Sequence, residues 1–216
     1  FSAQSQSRAA HASEAGYFKS QITPLELTAR RKTVTFDNDE FIRAETTTES
    51  LASLRAAFTK DGLVTAGNSS GINDGTASLV LANSAALETH KVNPLARIIA
   101  YGFGGVPPRI MGMGPVPASE MALERAGLSV DDLDLVESNE AFAAQACAVS
   151  RQLNLDTARV NPNGGAIALG HPVGATGAII MTKLIHELHR INGRYGMATM
   201  CIGGGQGISV VIDAKP

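Results

Sequence analysis

Three scarcities narrow what this chain can be. It has no long apolar run, which predicts that no segment spans a membrane. Its net charge is only −2 over 216 residues, so no general basic field favours a nucleic-acid partner. It has two cysteines, Cys147 and Cys201, too few for a disulfide scaffold and typical of reduced thiols in a cytoplasmic compartment. The remaining composition, 44% hydrophobic and 18% charged, indicates a globular protein with a substantial core.

The first residues predict a helix that has no proper beginning. Residues 1–12 are rich in alanine and glutamine, yet no capping side chain precedes them. We therefore expect this chain to be the C-terminal part of a longer protein, or one chain of a split or processed protein.

Strand and helix patterns alternate along most of the chain. We expect short strands within 22–41, a capped helix over 46–62 and a buried strand at 79–81. Beyond a boundary at Asn93-Pro94, the patterns predict strands at 96–100, 133–136 and 159–160, helices at 119–125, 140–153 and 175–190, and a terminal hairpin of 196–202 with 208–212. This order predicts a layered α/β fold with a mixed sheet, in which the largely apolar helix 175–190 is buried between layers.

Polar clusters rich in glycine or small residues follow several of the predicted strands, where α/β sheets place their chemistry. His171 stands in Gly170-His171-Pro172, shortly after an Asn-Gly-Gly turn and just before a helix, a context that favours a catalytic imidazole over a surface one. Cys201 ends a strand and precedes three glycines, whose N–H groups could stabilise an anion and lower the pKa of the thiol. Asn139 opens a helix, and its spacing fits two roles equally: it could cap the helix N-terminus, or it could orient a water or a substrate carbonyl. The set suits proton transfer and oxyanion stabilisation at a carbonyl or thioester.

These clusters together resemble the thiolase family, most closely its biosynthetic acetoacetyl-CoA branch. The similarity rests on Ser-Asn-Glu-Ala-Phe-Ala at 138–143, on the run from Asn163 to Pro172, and on Cys-Ile-Gly-Gly-Gly-Gln-Gly at 201–207. It extends to Gly-Asn-Ser-Ser-Gly at 67–71 and Met-Gly-Met-Gly-Pro at 111–115. The resemblance implies Claisen condensation of two acetyl-CoA molecules and the reverse thiolysis, with coenzyme A thioesters as substrates and with neither a metal nor another cofactor.

The resemblance also implies roles for individual residues. His171 would activate the nucleophilic cysteine, Cys201 would be the acid/base cysteine, and Asn139 would hold a water in the same oxyanion site. The Gly203 N–H would belong to a second oxyanion hole. Contacts with the acyl chain or coenzyme A would come from five further residues: Ser70, Arg43, Phe58, Met111 and Phe142.

One departure from the family pattern is large. The family's nucleophilic cysteine lies in the first half of the protein, and this chain has no segment that matches it. The resemblance implies that residues 1–91 hold the end of the loop domain and of the N-terminal domain, and that 92–216 form the C-terminal domain. We therefore expect a companion chain carrying the N-terminal half, with dimers or tetramers of the assembled unit. A degradative 3-ketoacyl-CoA thiolase and a non-catalytic acyl-CoA-binding subunit remain alternatives.

Overall fold

The structure is a computed structural model that describes residues 1–29 and 32–215. Its helices are α1 (Ser2–Glu14), α2 (Thr48–Ala52), α3 (Ser84–His90), α4 (Pro115–Ala126), α5 (Ala143–Gln152), α6 (Ala166–Leu169) and α7 (Thr176–Ile191). Its strands are β1 (Leu25–Ala29), β2 (Lys32–Phe36), β3 (Arg97–Gly105), β4 (Leu135–Ser138), β5 (Tyr195–Gly203) and β6 (Gln206–Asp213). Short 3-10 turns lie at Ala66–Asn68, Pro108–Met113 and Val130–Asp132. No helix in the described ranges combines the length and apolarity needed to cross a membrane.

A four-stranded sheet in the order β3-β6-β5-β4 organises the second half of the chain. β6 runs antiparallel to both β3 and β5, whereas β4 runs parallel to β5. The terminal hairpin and the mixed sheet expected from the sequence are thus confirmed. The parallel pair matters most for function, because it brings the carboxyl ends of β4 and β5 to the same edge of the sheet.

The sheet is covered on both faces. On one face lies α4, whose approach is so close that a Cβ added to Gly102 of β3 would lie 2.2 Å from the Ala118 carbonyl oxygen. On the other face α7 buries Ile180, Leu184 and Leu188 in one apolar cluster with residues of β4, β5 and β6. The expected helix is therefore present with one apolar face buried against the sheet, whereas Ile179, Met181 and Ile185 are half-buried and Ile191 is exposed.

The N-terminal part of the chain packs less extensively. α1 lies against α6, while β1 and β2 form a separate two-stranded antiparallel hairpin within the predicted excursion. The helix expected over 46–62 is much shorter and ends at Ala52. A capping box closes its start, where Thr47 and Ser50 exchange two hydrogen bonds.

Two expected strands are wrong. Residues 79–81 form no strand, and the side chain of Val80 is 94% exposed, because no neighbouring strand in the described chain pairs with this segment. Residues 159–160 make only an isolated parallel bridge between Val160 and Val136. An apolar run too short to fold on itself becomes a strand only where a partner strand exists.

Candidate active site

His171 and Asn139 face each other across the carboxyl edge of the sheet. The His171 Nε2 atom lies 3.4 Å from Asn139 Nδ2, and His171 Nδ1 lies 2.6 Å from the Thr176 hydroxyl. That hydroxyl also lies 2.9 Å from the Pro172 carbonyl oxygen, to which it can donate while it accepts from the ring. Because the Asn139 NH₂ group can only donate to Nε2, both contacts favour a neutral imidazole with its proton on Nδ1.

Burial reinforces the neutral form of this histidine. His171 is half-buried, and its desolvation lowers the pKa of the imidazole below the ordinary value of 6.5. At neutral pH the ring is thus a proton acceptor held in a single tautomer. The Asn139 side chain is itself buried, and its Oδ1 has no hydrogen-bond partner among the described residues.

The pairing of β4 with β5 connects this pair to Cys201. Ser138 pairs with Thr199, and the next backbone N–H, that of Asn139, donates to the Thr199 carbonyl oxygen at 2.9 Å. Cys201 follows two residues along β5, towards the same edge of the sheet. The three residues singled out as catalytic from the sequence are therefore gathered at one end of two adjacent strands.

A β-bulge sets the position of Cys201. The register against β6 shifts between Cys201 and Gly203, so that Ile202 is left over, and bulges of this kind re-aim side chains near active sites. Cys201 is only 7% exposed, whereas Ile202 is 55% exposed. Burial raises the pKa of the Cys201 thiol above 9.0, and a backbone hydrogen bond lowers it less. The expectation that nearby dipoles lower this pKa is wrong, because desolvation of the thiolate outweighs them.

The glycines after Cys201 turn the chain sharply. Gly203, Gly204 and Gly205 all have positive φ, at +92°, +62° and +97°, and the last two form a tight two-residue hairpin. A Cβ added to Gly203 would meet nothing within 4 Å, so its surroundings are open. The backbone at this glycine is accordingly accessible from the site edge.

The glycine-rich loop at 67–71 joins the same site, although it is remote in sequence. The His171 N–H donates to the Gly71 carbonyl oxygen at 3.0 Å. The backbone N–H and the hydroxyl of Ser70 both donate to the Ala141 carbonyl oxygen, at 3.0 and 3.3 Å, and Ser69 bridges Phe142. Ser70 and Phe142 are therefore neighbours, and both are half-buried.

The other residues expected to bind substrate are placed less decisively. Phe58 is 75% exposed and lies outside any helix. The exposed Arg43 guanidinium lies 5.9 Å from the ring centroid of Phe41, and its backbone N–H donates to the side chain of Gln6. Met111 is half-buried in the 3-10 turn before α4. Hydrogen bonds thus link Ser70 and Phe142 to the His171 segment, and among the described residues none links Phe58, Arg43 or Met111 to it.

Two cavities among the described residues bear on the candidate site. The cavity beside Asn139 measures only about 20 Å³ and is bounded by Gly170, Thr176 and Lys183 among others. A larger cavity of about 540 Å³ lies at the outer edge of β4 and is lined by Leu133 and Arg159 among others. Its lining includes none of the candidate catalytic residues. The small cavity is therefore the one whose lining includes Asn139 and the Gly170 residue that precedes His171.

Sequence reasoning missed the residues that hold the catalytic ones. Thr176 fixes the tautomer of His171, and Asn161 brackets the Ser138 peptide with two hydrogen bonds of 2.7 and 2.8 Å. Glu140 accepts three hydrogen bonds inside the core. The sequence does show these polar side chains within otherwise apolar, glycine-rich segments. It does not show which residues they bind, because most of their partners lie far away along the chain.

Comparisons with known proteins agree with this geometry. The family model described as "Thiolase, C-terminal domain" matches residues 92–214, and "Thiolase, N-terminal domain" matches residues 1–85. Among curated relatives, a beta-ketothiolase of Cupriavidus necator is 55% identical over 97% of this chain and 54% of its own length. An acetyl-CoA acetyltransferase of Escherichia coli is 54% identical over 97% of this chain and 53% of its own length.

Solved structures and a human relative extend the comparison. The human mitochondrial 3-ketoacyl-CoA thiolase is 50% identical over 99% of this chain and 54% of its own length. The crystal structure of the Bacillus anthracis acetyl-CoA acetyltransferase superposes with a TM-score of 0.95 at 50% identity, covering 98% of this chain and 54% of that one. The chain spans about half the length of the curated relatives it matches. Both family models match, about half of the residues are identical to those of several relatives, and the fold is the same. This chain therefore belongs to the thiolase family.

Proposed function

We propose that this chain supplies the acid/base half of a thiolase active site. The reaction is Claisen condensation of two acetyl-CoA molecules to acetoacetyl-CoA and coenzyme A, together with the reverse thiolysis. The observation that carries the proposal is a half-buried His171 whose Nδ1 contacts Thr176 and whose Nε2 faces Asn139, at the sheet edge towards which the buried Cys201 also lies. A protonated thiol and a proton-accepting imidazole are complementary groups for acyl transfer between thioesters.

The first half-reaction uses both groups. A nucleophilic cysteine of a companion chain gives its proton to His171 Nε2 and attacks the thioester carbonyl. The resulting imidazolium donates its Nδ1–H to the Thr176 hydroxyl and its Nε2–H to the thioester oxygen, which gains negative charge. The departing coenzyme A thiolate takes the proton of Cys201, which leaves an acyl-enzyme and a Cys201 thiolate. The raised pKa of the thiol makes that thiolate a stronger base than an exposed one.

The second half-reaction restores the starting state. The Cys201 thiolate removes a proton from the carbon next to the carbonyl of a second acetyl-CoA. The enolate oxygen lies in a site formed by His171 and by a water on Asn139, whose buried Oδ1 has no partner among the described residues. The enolate carbon then attacks the carbonyl of the acyl-enzyme, and the Gly203 N–H serves the oxyanion that forms. This intermediate expels the nucleophilic cysteine as a thiolate, which takes back its proton from His171, while Cys201 keeps the proton it removed from the second acetyl-CoA. These steps move protons and an acyl group only, and they call for neither a metal nor a redox cofactor.

The remaining expected residues would bind coenzyme A and the acyl chain. Ser70 lies closest to the His171 segment, through Gly71, and suits the pantetheine arm. The exposed Arg43 guanidinium suits the nucleotide phosphates. Phe58, Met111 and Phe142 would line an apolar wall of the site.

A companion chain with the N-terminal half is part of the proposal. We divide this chain into residues 1–91, which complete the loop and N-terminal domains, and 92–216, which form the C-terminal domain. The exposed apolar residues support an absent neighbour: Phe58 is 75% exposed and Leu81 is 77% exposed. Tyr101 and Phe103 of β3 are also more than half exposed. The assembled unit would form dimers or tetramers in the cytoplasm, and light scattering after size exclusion would give its mass.

Thiolysis of acetoacetyl-CoA by coenzyme A, measured after co-expression with a complementary N-terminal half, tests the proposal. Cys201→Ala and His171→Ala should each lower kcat by at least 100-fold. Cys147→Ala is the matched control, because that cysteine is half-buried in α5 and has no part in the proposed steps. Unchanged activity in both site variants would reject the proposal and favour a non-catalytic acyl-CoA-binding subunit.

A second assay separates two branches of the family. Relatives named 3-ketoacyl-CoA thiolase share 50% identity with this chain, so a degradative enzyme is a second candidate. Comparing kcat/KM for acetoacetyl-CoA and for a long-chain 3-ketoacyl-CoA decides between them. We expect acetoacetyl-CoA to be preferred, and a preference for the long chain would favour degradation.

A further inference from the structure

The carboxylate of Glu140 occupies an unusual position directly behind the candidate active site. Glu140 is only 2% exposed, yet its two oxygens accept three hydrogen bonds from three separate segments. Oε2 accepts from the Ser5 hydroxyl of α1 at 2.7 Å and from the Ile167 N–H of α6 at 3.2 Å. Oε1 accepts from Asn161 Nδ2 at 2.9 Å. The proposed catalytic steps give this carboxylate no direct part.

The surrounding backbone is shaped to admit this carboxylate. A Cβ added to Gly165 would lie 2.3 Å from the Glu140 Cδ atom, so only glycine leaves room there. The Gly165 N–H donates a hydrogen bond to the Ser5 hydroxyl at 3.1 Å, and this hydroxyl in turn donates a hydrogen bond to Glu140. α1 is therefore joined to the turn before α6 through one buried hydroxyl, across about 160 residues of sequence.

The segments that Glu140 joins lead directly to Asn139 and to His171. Asn161, held by Glu140, also accepts from the Ser138 N–H and donates to the Ser138 carbonyl oxygen, immediately before Asn139. On the other side, Ile167 lies in α6, a helix of only four residues that leads through Gly170 to His171. A change at the carboxylate would thus be transmitted to both partners of the 3.4 Å contact between Asn139 and His171.

We propose that Glu140 is a positioning residue that sets the distance and orientation between Asn139 and His171. Ser5 acts with it, so that α1 supports the site although it contributes no group to it. This inference rests on the proposed function for its kinetic consequence, but its structural consequence can be measured without any reaction. Errors of about 1 Å in such a pair can lower a rate by about 100-fold.

Glu140→Gln in the enzyme assembled with its N-terminal half is the test, because it keeps the shape and turns one accepting oxygen into an NH₂ group that faces donors. We expect kcat for thiolysis to fall about 10- to 100-fold with KM for the thioester changed less than twofold. Asp213→Asn is the matched control. Asp213 is also about 1% exposed and ion-paired, with Arg194, but it lies at the opposite end of the sheet from Cys201. This control should keep kcat within twofold.

A readout free of catalysis accompanies the kinetics. Nitrogen-15 spectra of histidine-labelled enzyme, with the signal of His171 identified by its loss in His171→Asn, report the tautomer of the ring. We expect one Nδ1–H tautomer in the wild type and a mixture, or a shifted titration, in Glu140→Gln. If the wild-type enzyme shows no thiolysis, the proposed function fails while this spectral test still stands.

The opposite results are equally definite. A folded Glu140→Gln enzyme with kcat within twofold of wild type and an unchanged His171 spectrum would overturn the inference. If that variant does not assemble, Ser5→Ala decides, because it removes a single hydroxyl donor and leaves the carboxylate in place. A fall in kcat of about 3- to 10-fold with unchanged KM supports the positioning role, and wild-type kcat in Ser5→Ala contradicts it.

Discussion

Replacing Lys183 with methionine should cost the protein about 3–5 kcal/mol of stability at pH 7. Lys183 Nζ lies 2.8 Å from Glu137 Oε2 and 2.6 Å from the Gly164 carbonyl oxygen, and both side chains of the ion pair are buried. Without the ammonium, Glu137 is left unpaired in the core, where burial raises its pKa most and the charges of Glu140 and Glu187 raise it further. A buried carboxylate in this position takes up a proton rather than remain charged.

The magnitude follows from the pH. Protonating a carboxyl group whose ordinary pKa is 4.5 costs about 1.4 kcal/mol per pH unit, or about 3.4 kcal/mol at pH 7. The lost hydrogen bond to Gly164 adds about 1 kcal/mol. Burial raises the pKa of Glu137 in the folded state, so the variant's deficit is small below pH 4.5 and grows as pH rises towards the folded-state pKa.

Urea unfolding at fixed protein concentration, from pH 4.5 to pH 8, measures this deficit. The double variant Glu137→Met with Lys183→Met removes both charges and should lose only about 1 kcal/mol, mainly the hydrogen bond to Gly164. A Lys183→Met deficit that does not change with pH, or single-variant losses that simply add in the double variant, would show that the reasoning from buried charge is wrong.

Three further predictions concern the site and its support. Thr176→Val should lower kcat for thiolysis about 10- to 100-fold by freeing His171 Nδ1, whereas Thr176→Ser should retain most activity; equal rates in the two variants would contradict this. The alkylation rate of Cys201 by iodoacetamide, followed by mass spectrometry, should rise with pH through a midpoint above 9.0, and a lower midpoint would mean that burial does not govern the thiol. Gly207→Ala should destabilise the protein by about 1–3 kcal/mol in thermal unfolding, since its Cβ would lie 2.1 Å from the backbone at the start of α4. Gly105→Ala, where a Cβ meets nothing within 4 Å, should change stability by less than about 0.5 kcal/mol, and similar losses in both would refute the steric argument.

Much of the fold after residue 93 was predictable, because local patterns there agree with the tertiary structure. The apolar run of α7 and the glycines that close the β5–β6 hairpin are local signals, and both predicted the observed elements. The prediction failed at 79–81, where strand-like residues have no partner strand and are exposed. Hydrophobicity predicts that a segment can be buried, but a strand also needs a neighbouring strand to pair with, and the described residues provide none for 79–81.

The amino-acid sequence by itself determined which residues are candidates for the chemistry. His171 and Cys201 stand out because glycine and proline around a reactive side chain have few structural explanations, whereas Asn139 became a candidate only through the family resemblance. Only the tertiary structure decided what state those groups are in. The tautomer of His171 depends on Thr176, the raised pKa of Cys201 depends on burial, and the placement of Asn139 depends on a carboxylate that also binds α1. Protonation and alignment are set by desolvation and by hydrogen bonds between segments far apart in the chain, and such contacts exist only once the chain has folded.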